Sequence, residues 1–438
     1  MPMSGKNMAN IFSVVDIGTQ QIRVLVGQPD GSDKVSVLGI GEVPADGIDD
    51  NGVAHIDRLV QAIQKALTQA NQQSQVAISR VWVVTNHMHL YGEQADAVIA
   101  FSDPEHEISL QDLQLLRQQA VQRPAKPDME LIHVIPQYYS IDHRDFVREP
   151  LGMTGVRLEG YFYLVYAPQS YLTMLRKCFN RLDIEIEGFV ARPLATAEVF
   201  LSPEQKASSA ALLYLGNHAT GIVLYENSFL KHFSMLPLGG YQVTMDIREM
   251  LRYVLPSQAE ELKVSQGVAF ADLVPQDEYL RLRVSPEAEP IDIHRHTLAR
   301  VIQARLSETL VFIAKEIKQA GLLDKLYGGI YIAGGGALMP GMSDLIEYEL
   351  GVRTHIVRVA QVLGRGMTSR VNTPRMAGAV AGLYLAPILK EFMPPVLPTA
   401  PTKGKEKSSS RSKQRSQILQ KVRSLLENTI KLPQDLID

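Results

Sequence analysis

In VVDIGTQQIRVLVG, Val14 to Gly27, an acid, a glycine and a hydroxyl follow one another at Asp16, Gly18 and Thr19, between two apolar runs. A strand that ends in Asp-x-Gly-Thr presents backbone N–H groups and a hydroxyl at its turn, and such N–H groups bind phosphate oxygens. The Asp16 carboxylate can then hold Mg2+ through water, because magnesium keeps much of its hydration shell. Alone the tetrapeptide is a weak signal, since DxGT-like turns arise by chance. An echo strengthens it. ALLYLG, NHATG and IVLYEN, Ala211 to Asn227, repeat the strand, polar turn and strand, with Gly216 placed as Gly18 is, 198 residues further on. A third piece, GGIYIAGGGALMPGMSDLIEYEL, reads as strand, glycine triplet and helix. Two facing hairpins and this junction would clamp the phosphates and the adenosine of ATP.

The elements that must position these groups are legible in outline. Residues 11 to 43 read as a meander of three strands, IFSVVDI, IRVLVGQ and VSVLGIGEV, with turns at Gly18-Thr19 and Pro29-Asp30-Gly31. From Asp57, an N-cap candidate, Val60, Ile63, Ala66, Leu67 and Ala70 keep helical spacing, and RVWVVTN then resumes a buried strand with Trp82 in the core. A second long helical pattern runs from Leu298 through Val301, Ile302, Leu306, Leu310 and Ile313 to Ile317. The repeat of the opening meander near Ala211 implies two homologous lobes, the alternative being chance likeness of short hairpins. Between them, Leu90 to about Ala167 is rich in short strands, with a helix near SLQDLQLLRQQAVQ, and reads as an inserted subdomain.

Composition sets outer bounds. At 438 residues the chain is too long for one ordinary core, and 45% hydrophobic residues with 21% charged ones and a net charge of −3 describe a globular protein with no global pull toward nucleic acid. A single cysteine, Cys178, excludes an internal disulfide and a cysteine-built zinc site, and suits a reducing compartment. No run of 18 or more apolar residues is present, so neither a membrane span nor a secretory leader is expected. Charge is unevenly spread: Lys403 to Lys431 carries nine Lys or Arg against two Glu, net +7, leaving −10 on the rest.

Several stretches, GIDDNGVAHIDRLVQAIQKAL, IHVIPQYYSID, REPLGMTGVRLEG, LPLGGYQVTMDI, AEELKVSQGVA, RHTLARVIQARLSETL and IYIAGGGALMPGM, together resemble the actin-like ATPase superfamily and, within it, the FtsA family of bacterial cell-division proteins. The resemblance runs over about residues 12 to 387 and returns in the tail. It implies an α/β actin-like bilobed fold made of duplicated ribonuclease H-like domains, with an inserted subdomain 1C and a C-terminal amphipathic helix. The expected division is 11–89 plus 168–207 for subdomain 1A, 90–167 for 1C, 208–241 plus 318–390 for 2A, 242–317 for 2B, 391–415 for a flexible basic linker and 416–432 for the helix. ATP with Mg2+ would lie between the lobes. Asp16, Gly18, Thr19 and Gln20 would form the first phosphate loop and Gly216, Asn217, His218 and Gly240 the second, with Glu260 and Lys263 near the adenosine and Gly335, Gly336 and Ala337 along its base. The family forms actin-like filaments by self-association, binds the C-terminal peptide of the tubulin-like FtsZ through 2B, works with other division proteins, and sits peripherally on the cytoplasmic face of the inner membrane at the division site. Arg295, Arg300 and Arg305 are candidates for the acidic peptide, since arginine forks suit carboxylates; an ordinary charged helix face accounts for them as well.

Two departures bear on chemistry. The superfamily's second loop repeats an acid, whereas LGNHAT puts Leu215 at or beside that place, and ARPLATAEVF has Arg192 where relatives carry a water-placing Glu. Phosphoryl transfer depends almost wholly on positioning and charge, so hydrolysis is expected to be very slow or absent. Binding is separate: Asn217, His218 and Arg192 can still meet phosphate oxygens, or the cleft can be degenerate and empty. The pairs His87 with His89 and His294 with His296 invite a metal reading, but no third ligand is in view, and hydrogen-bonded or solvated histidines account for them.

In the tail, Pro394 to Arg415 has no periodicity able to bury a core and would reach roughly 25 Å as a flexible chain. SQILQKVRSLLENTIKL then sets Ile418, Leu419, Val422, Leu425, Leu426, Ile430 and Leu432 on one arc, with Lys421 and Arg423 at its edges and Pro433 as a stop. That is the pattern of an interfacial helix on anionic membrane lipids, with docking in a protein groove as the alternative. A PilM-like pilus-assembly adaptor shares 1C but does not usually end in such a helix. An actin-fold sugar kinase or chaperone ATPase would want the missing carboxylates.

Overall fold

A computed structural model describes residues 10–395 except 32, 123–125, 253 and 284–289. The expected linker beyond 395 and the amphipathic helix, with Ile418, Leu419, Lys421, Val422, Arg423, Leu425, Leu426 and Ile430, lie outside the described residues.

The first lobe opens with strands β1 (Phe12–Ile17), β2 (Gln21–Pro29) and β3 (Val35–Pro44), followed by a two-residue hairpin, β4 (Ile48–Asp49) and β5 (Gly52–Val53). Helix α1 (Ile56–Ser74) buries Leu59, Ala62, Ile63, Ala66, Leu67 and Ala70, the three-and-four spacing of one apolar face. Its N-cap is His55 rather than Asp57; Asp57 lies in the first turn, where it complements the helix dipole and pairs with Arg181 at 2.5 Å. Strand β6 (Arg80–Thr85) follows, and Trp82 is buried in the core.

The chain then leaves for the insert: β7 (Tyr91–Ala100), α2 (Leu110–Ala120), β8 (Met129–Ile141), β9 (Arg144–Val147) and β10 (Arg157–Pro168). Its sheet runs β7-β10-β8-β9, antiparallel throughout. Ser109 and Asp112 cap α2 reciprocally, satisfying N–H groups that a helix start leaves open. Returning through α3 (Gln169–Asn180), the chain adds β11 (Glu185–Ala191), then α4 (Arg192–Phe200) and α5 (Pro203–Ala207).

The second lobe repeats the first. Its meander is β12 (Ala210–Leu215), β13 (Thr220–Glu226) and β14 (Phe229–Leu236), and after α6 (Gly240–Leu251), α7 (Pro256–Gln266), the hairpin β15 (Tyr279–Leu282) and β16 (Ile291–His294) and the long α8 (Arg295–Gln319) come β17 (Gly329–Ala333), α9 (Met342–Leu350) and β18 (Thr354–Ile356). The closing elements are β19 (Leu363–Gly366), α10 (Thr368–Val371) and α11 (Ala377–Leu385). The two main sheets have the orders β3-β2-β1-β6-β11, with β19 added beside β3, and β14-β13-β12-β17-β18. In each, the meander is antiparallel and the first strand is parallel to the next. A shared topology at a spacing of about two hundred residues is duplication, and chance likeness of hairpins no longer accounts for it.

The range 318–390, expected in the second lobe, divides. Strand β19 pairs with β3, and α11 packs its buried Val380 and Leu383 into the first lobe's core, so residues from about 363 onward join the first sheet. The expected linker likewise starts later than 391. The Phe392 carbonyl accepts the Val134 N–H at 2.7 Å and the Met393 carbonyl accepts Arg117 Nη2 at 2.6 Å, so both residues are docked on the insert.

Strand alternation divides the second sheet between two cores. Leu212, Tyr214 and Val223 face the first lobe, while Ala211, Leu213, Ile222 and Leu224 face Leu310 and Ile313 of α8 and Leu345 of α9. The insert also bridges the lobes: the Tyr163 hydroxyl accepts the Phe233 N–H at 2.8 Å, Gln137 Oε1 accepts the Leu230 N–H at 2.8 Å, and the Tyr138 ring lies 5.1 Å from Phe229.

Candidate functional site

Both predicted loops close with the same bond. The Gly18 N–H donates to the Gln21 carbonyl at 3.1 Å and the Gly216 N–H to the Ala219 carbonyl at 3.1 Å. Thr19 is half-buried and Gln20 exposed at the first tip; Asn217 and His218 are half-buried at the second.

Three successive residues at the end of β12 gather the site. Tyr214 turns toward the first lobe, where its ring stands 5.6 Å from the Arg192 guanidinium. The matching strand registers put Tyr214, not Leu215, at the place that Asp16 holds in the first lobe. Leu215, beside it, packs on the glycine triplet: a Cβ on Gly334 would lie 2.4 Å from the Leu215 carbonyl oxygen, and one on Gly336 would lie 2.8 Å from its Cβ. Gly334 also has φ 89, a left-handed backbone that a side chain would strain. Gly335 is exposed and Ala337 buried in the same turn. Gly216 accepts from the first N–H of α6, Gly240 to the Gly216 carbonyl at 3.0 Å, and Asn217 accepts from Tyr241 at 2.8 Å. The loop thereby uses carbonyls to satisfy N–H groups that a helix N-terminus leaves unpaired.

Behind that helix start, Lys263 is buried. Its ammonium donates to the Gly240 carbonyl and Thr244 Oγ1, both at 2.8 Å, and to Glu260 Oε2 at 2.6 Å; Thr244 also bonds Glu260. Burial lowers the Lys263 pKa, with the Glu260 charge opposing. His218 stacks on Tyr241 at 4.6 Å, and burial lowers its pKa too, against the charges of Asp50 and Asp49 in the first lobe's short hairpin. Gly216, Asn217, His218, Gly240, Glu260 and Lys263 are therefore one cluster.

The first loop differs from expectation. Asp16 is fully buried, and Arg192, itself 6% exposed, reaches it from the first turn of α4. Arg192 Nε donates to Asp16 Oδ1 at 2.7 Å, Nη2 lies 2.5 Å from the same oxygen, and Nη2 also donates to the Ile17 carbonyl at 2.7 Å. Burial would lower the Arg192 pKa, but the charge of Asp16 outweighs it and holds the guanidinium above its ordinary value. Arg23 Nη1 stands 3.7 Å from the other Asp16 oxygen while its Nε donates to Glu42 at 2.9 Å.

The expectation that Asp16 holds Mg2+ through water fails on this geometry. Asp16 Oδ2 has no hydrogen-bond partner and would suit a metal-bound water, yet one guanidinium is bonded to the neighbouring oxygen and a second faces Oδ2 itself. At 4 Å, like unit charges repel by about 4 kcal/mol at an effective dielectric of 20, and a dication doubles this. Among the described residues no group of three or more His, Cys, Asp or Glu is placed to hold a metal. The residues present do not fit a divalent cation.

Two features escaped the sequence. His133, in β8, is fully buried, and its Nε2 accepts the Ala191 N–H at 3.1 Å, fixing the residue that launches α4 and so Arg192. Burial holds its pKa down at about 4. A histidine inside the apolar run LIHVIP was the available signal. Gly378 in α11 lets the arginine pass: a Cβ there would stand 2.4 Å from Arg192 Cγ. His87 is hydrogen-bonded, accepting the His89 N–H through Nδ1 at 3.2 Å and lying 3.4 Å from the Asn51 carbonyl through Nε2; His294 meets the Tyr279 ring edge-on at 4.5 Å.

The three arginines of α8 are not brought to one place. Steps of five residues turn 140° around a helix, so they point apart. Arg295 donates to Glu278 at 2.6 Å, Arg305 to Asp246 at 2.6 and 3.0 Å and also to Glu308, and Arg300 is exposed.

Family comparison speaks to the whole assembly. The model of the SHS2 domain inserted in FtsA matches residues 87–166, and the model of the cell division protein FtsA matches residues 211–381. The cell division protein FtsA of Pseudomonas aeruginosa is 30% identical over 393 residues, covering 89% of this chain and 91% of that one. The chain belongs to the FtsA family. FtsA of Neisseria meningitidis is 29% identical over 386 residues, with 87% and 92% covered, and FtsA of Bacillus subtilis 30% identical over 354, with 81% and 79% covered. Among solved structures, a chain of the PilM-PilN type IV pilus biogenesis complex aligns with a TM-score of 0.62 at 15% identity, over 86% of this chain and 98% of that one, a likeness of fold alone. The fold is actin-like, and membership in FtsA makes this a cell-division protein.

Proposed function

We propose that this FtsA-family chain acts as an adaptor rather than as an enzyme. A nucleotide, ATP by the family resemblance, would sit between the Gly18 and Gly216 loops and keep the lobes in register, with little or no hydrolysis. The observation that carries this is the state of the two matching loop positions: Asp16 is bonded to Arg192, and its counterpart in the second lobe is Tyr214, which carries no carboxylate and faces the same arginine. Attack by water on a phosphoryl group needs oriented water and charge stabilisation, and neither position supplies them.

On this reading the body self-associates into actin-like filaments, recruits the FtsZ C-terminal peptide through the face carrying Arg300 on α8, and is held by its basic tail on anionic lipids at the cytoplasmic face of the membrane, at the division site. The subdomain scheme follows the sequence-based one, with residues from about 363 reassigned to 1A. Electron microscopy of the purified protein on an anionic lipid monolayer, with and without ATP and FtsZ, tests the proposal. Filaments and recruited FtsZ are expected, without phosphate release above background; absence of both filaments and recruitment would sink it.

A further inference from the structure

We infer that Arg192 is the resident counter-cation of the phosphate cleft, so that the cleft takes a nucleoside polyphosphate free of metal. This rests on the nucleotide reading above and adds its metal requirement. The guanidinium occupies a built site. It is buried, anchored on Asp16 Oδ1 and the Ile17 carbonyl, covered by the Tyr214 ring, and passed through by way of Gly378. Its Nη2 and Nη1 lie 3.6 and 3.8 Å from where a Cβ on Gly18 would stand, directly beneath the first loop.

The charge pattern excludes the usual partner of a polyphosphate. A hydrated Mg2+ needs carboxylate or phosphate oxygens that are free to hold its waters. Asp16 is held by Arg192 and faced by Arg23, and the matching position of the second lobe offers Tyr214 in place of a carboxylate. A metal placed here would have to evict a guanidinium bonded to two fixed acceptors, Asp16 Oδ1 and the Ile17 carbonyl. A metal-free polyphosphate meets no such obstacle: the fixed guanidinium beneath the Gly18 turn is the cation on offer, and a guanidinium is suited to anionic oxygens.

Full-length protein titrated with ATP by calorimetry, in EDTA and in excess Mg2+, tests this. Equal or tighter binding in EDTA is expected. Arg192→Ala should weaken metal-free binding by about tenfold or more while Arg192→Lys, which keeps the charge, loses less. Thermal melts of both variants establish that they fold. Mn2+ alone, followed by electron paramagnetic resonance, should find no site in the parent protein. ATP binding that requires Mg2+, or a Mn2+ site lost in Asp16→Asn, overturns the inference and leaves the nucleotide reading standing. Absence of binding in both buffers overturns the two together.

Discussion

The decisive residues act in pairs that are far apart in sequence. Arg192 meets Asp16 across 176 positions and His133 meets the Ala191 N–H across 58. The second pair yields a pH dependence. His133 titrates near 6.5 when unfolded and at about 4 when folded, because burial penalises its charged form. Between these values the unfolded chain binds the extra proton, so stability rises with pH through that window and is fully present above it. Cooling the pH from about 7.5 to about 5 should cost about 2 kcal/mol through this group. His133→Gln keeps an acceptor and does not titrate, so urea unfolding at the two pH values should show a shallower loss; an unchanged slope would refute the assignment. His133→Ala should cost about 1–3 kcal/mol near pH 7.5, by leaving a buried N–H unpaired, and less at pH 5, where the parent has already lost the histidine's contribution. At this scale the sequence announced Asp16, Gly18 and Thr19 through their order in a turn. It could not announce what Asp16 touches, since the partner is set by where α4 begins.

Elements were more legible than their contacts. Periodicity and turn residues located both meanders, α1, α8 and the strand-to-helix junction at the glycine triplet, because each is governed by local spacing. The return of β19 to the first sheet and the docking of Phe392 and Met393 were not legible, being decided by neighbours distant in sequence. The same holds for the α8 arginines, whose carboxylate partners Glu278 and Asp246 come from other segments. The contact of β12 with the triplet turn can be measured directly. Gly336→Ala should destabilise by about 1–3 kcal/mol, the range for overpacking, because the new Cβ would meet Leu215 Cβ at 2.8 Å. Combining it with Leu215→Gly, which removes that Cβ, should recover part of that loss, with a coupling of about 0.5–3 kcal/mol in urea titrations. Strict additivity would deny the contact.

For the whole molecule, duplication and insertion were readable from repeated patterns, and the family relation follows from similarity spread over most of the chain. The lipid attachment proposed above is tested on all 438 residues. Deleting 416–438 should abolish sedimentation with anionic liposomes, and raising salt should weaken sedimentation of the parent, since screening acts on the Lys and Arg contribution. Unchanged sedimentation after deletion would move the attachment elsewhere. The melting temperature of the body should stay within a degree or so, if the tail makes no packing contribution.

The last docked residues give the body a mechanical asymmetry. Met393 is gripped through its carbonyl by Arg117 and lies against Gly188 and the region of Trp82, while Phe392 is tied to Val134. A pull on the chain beyond Met393 would therefore enter through the insert and the first sheet, and would reach the second lobe through Tyr163 with Phe233, through Gln137 with Leu230, and through the core that Leu212, Tyr214 and Val223 share with the first lobe. Were the tail the tether proposed above, the insert and the first lobe would take its load directly and the second lobe at one remove.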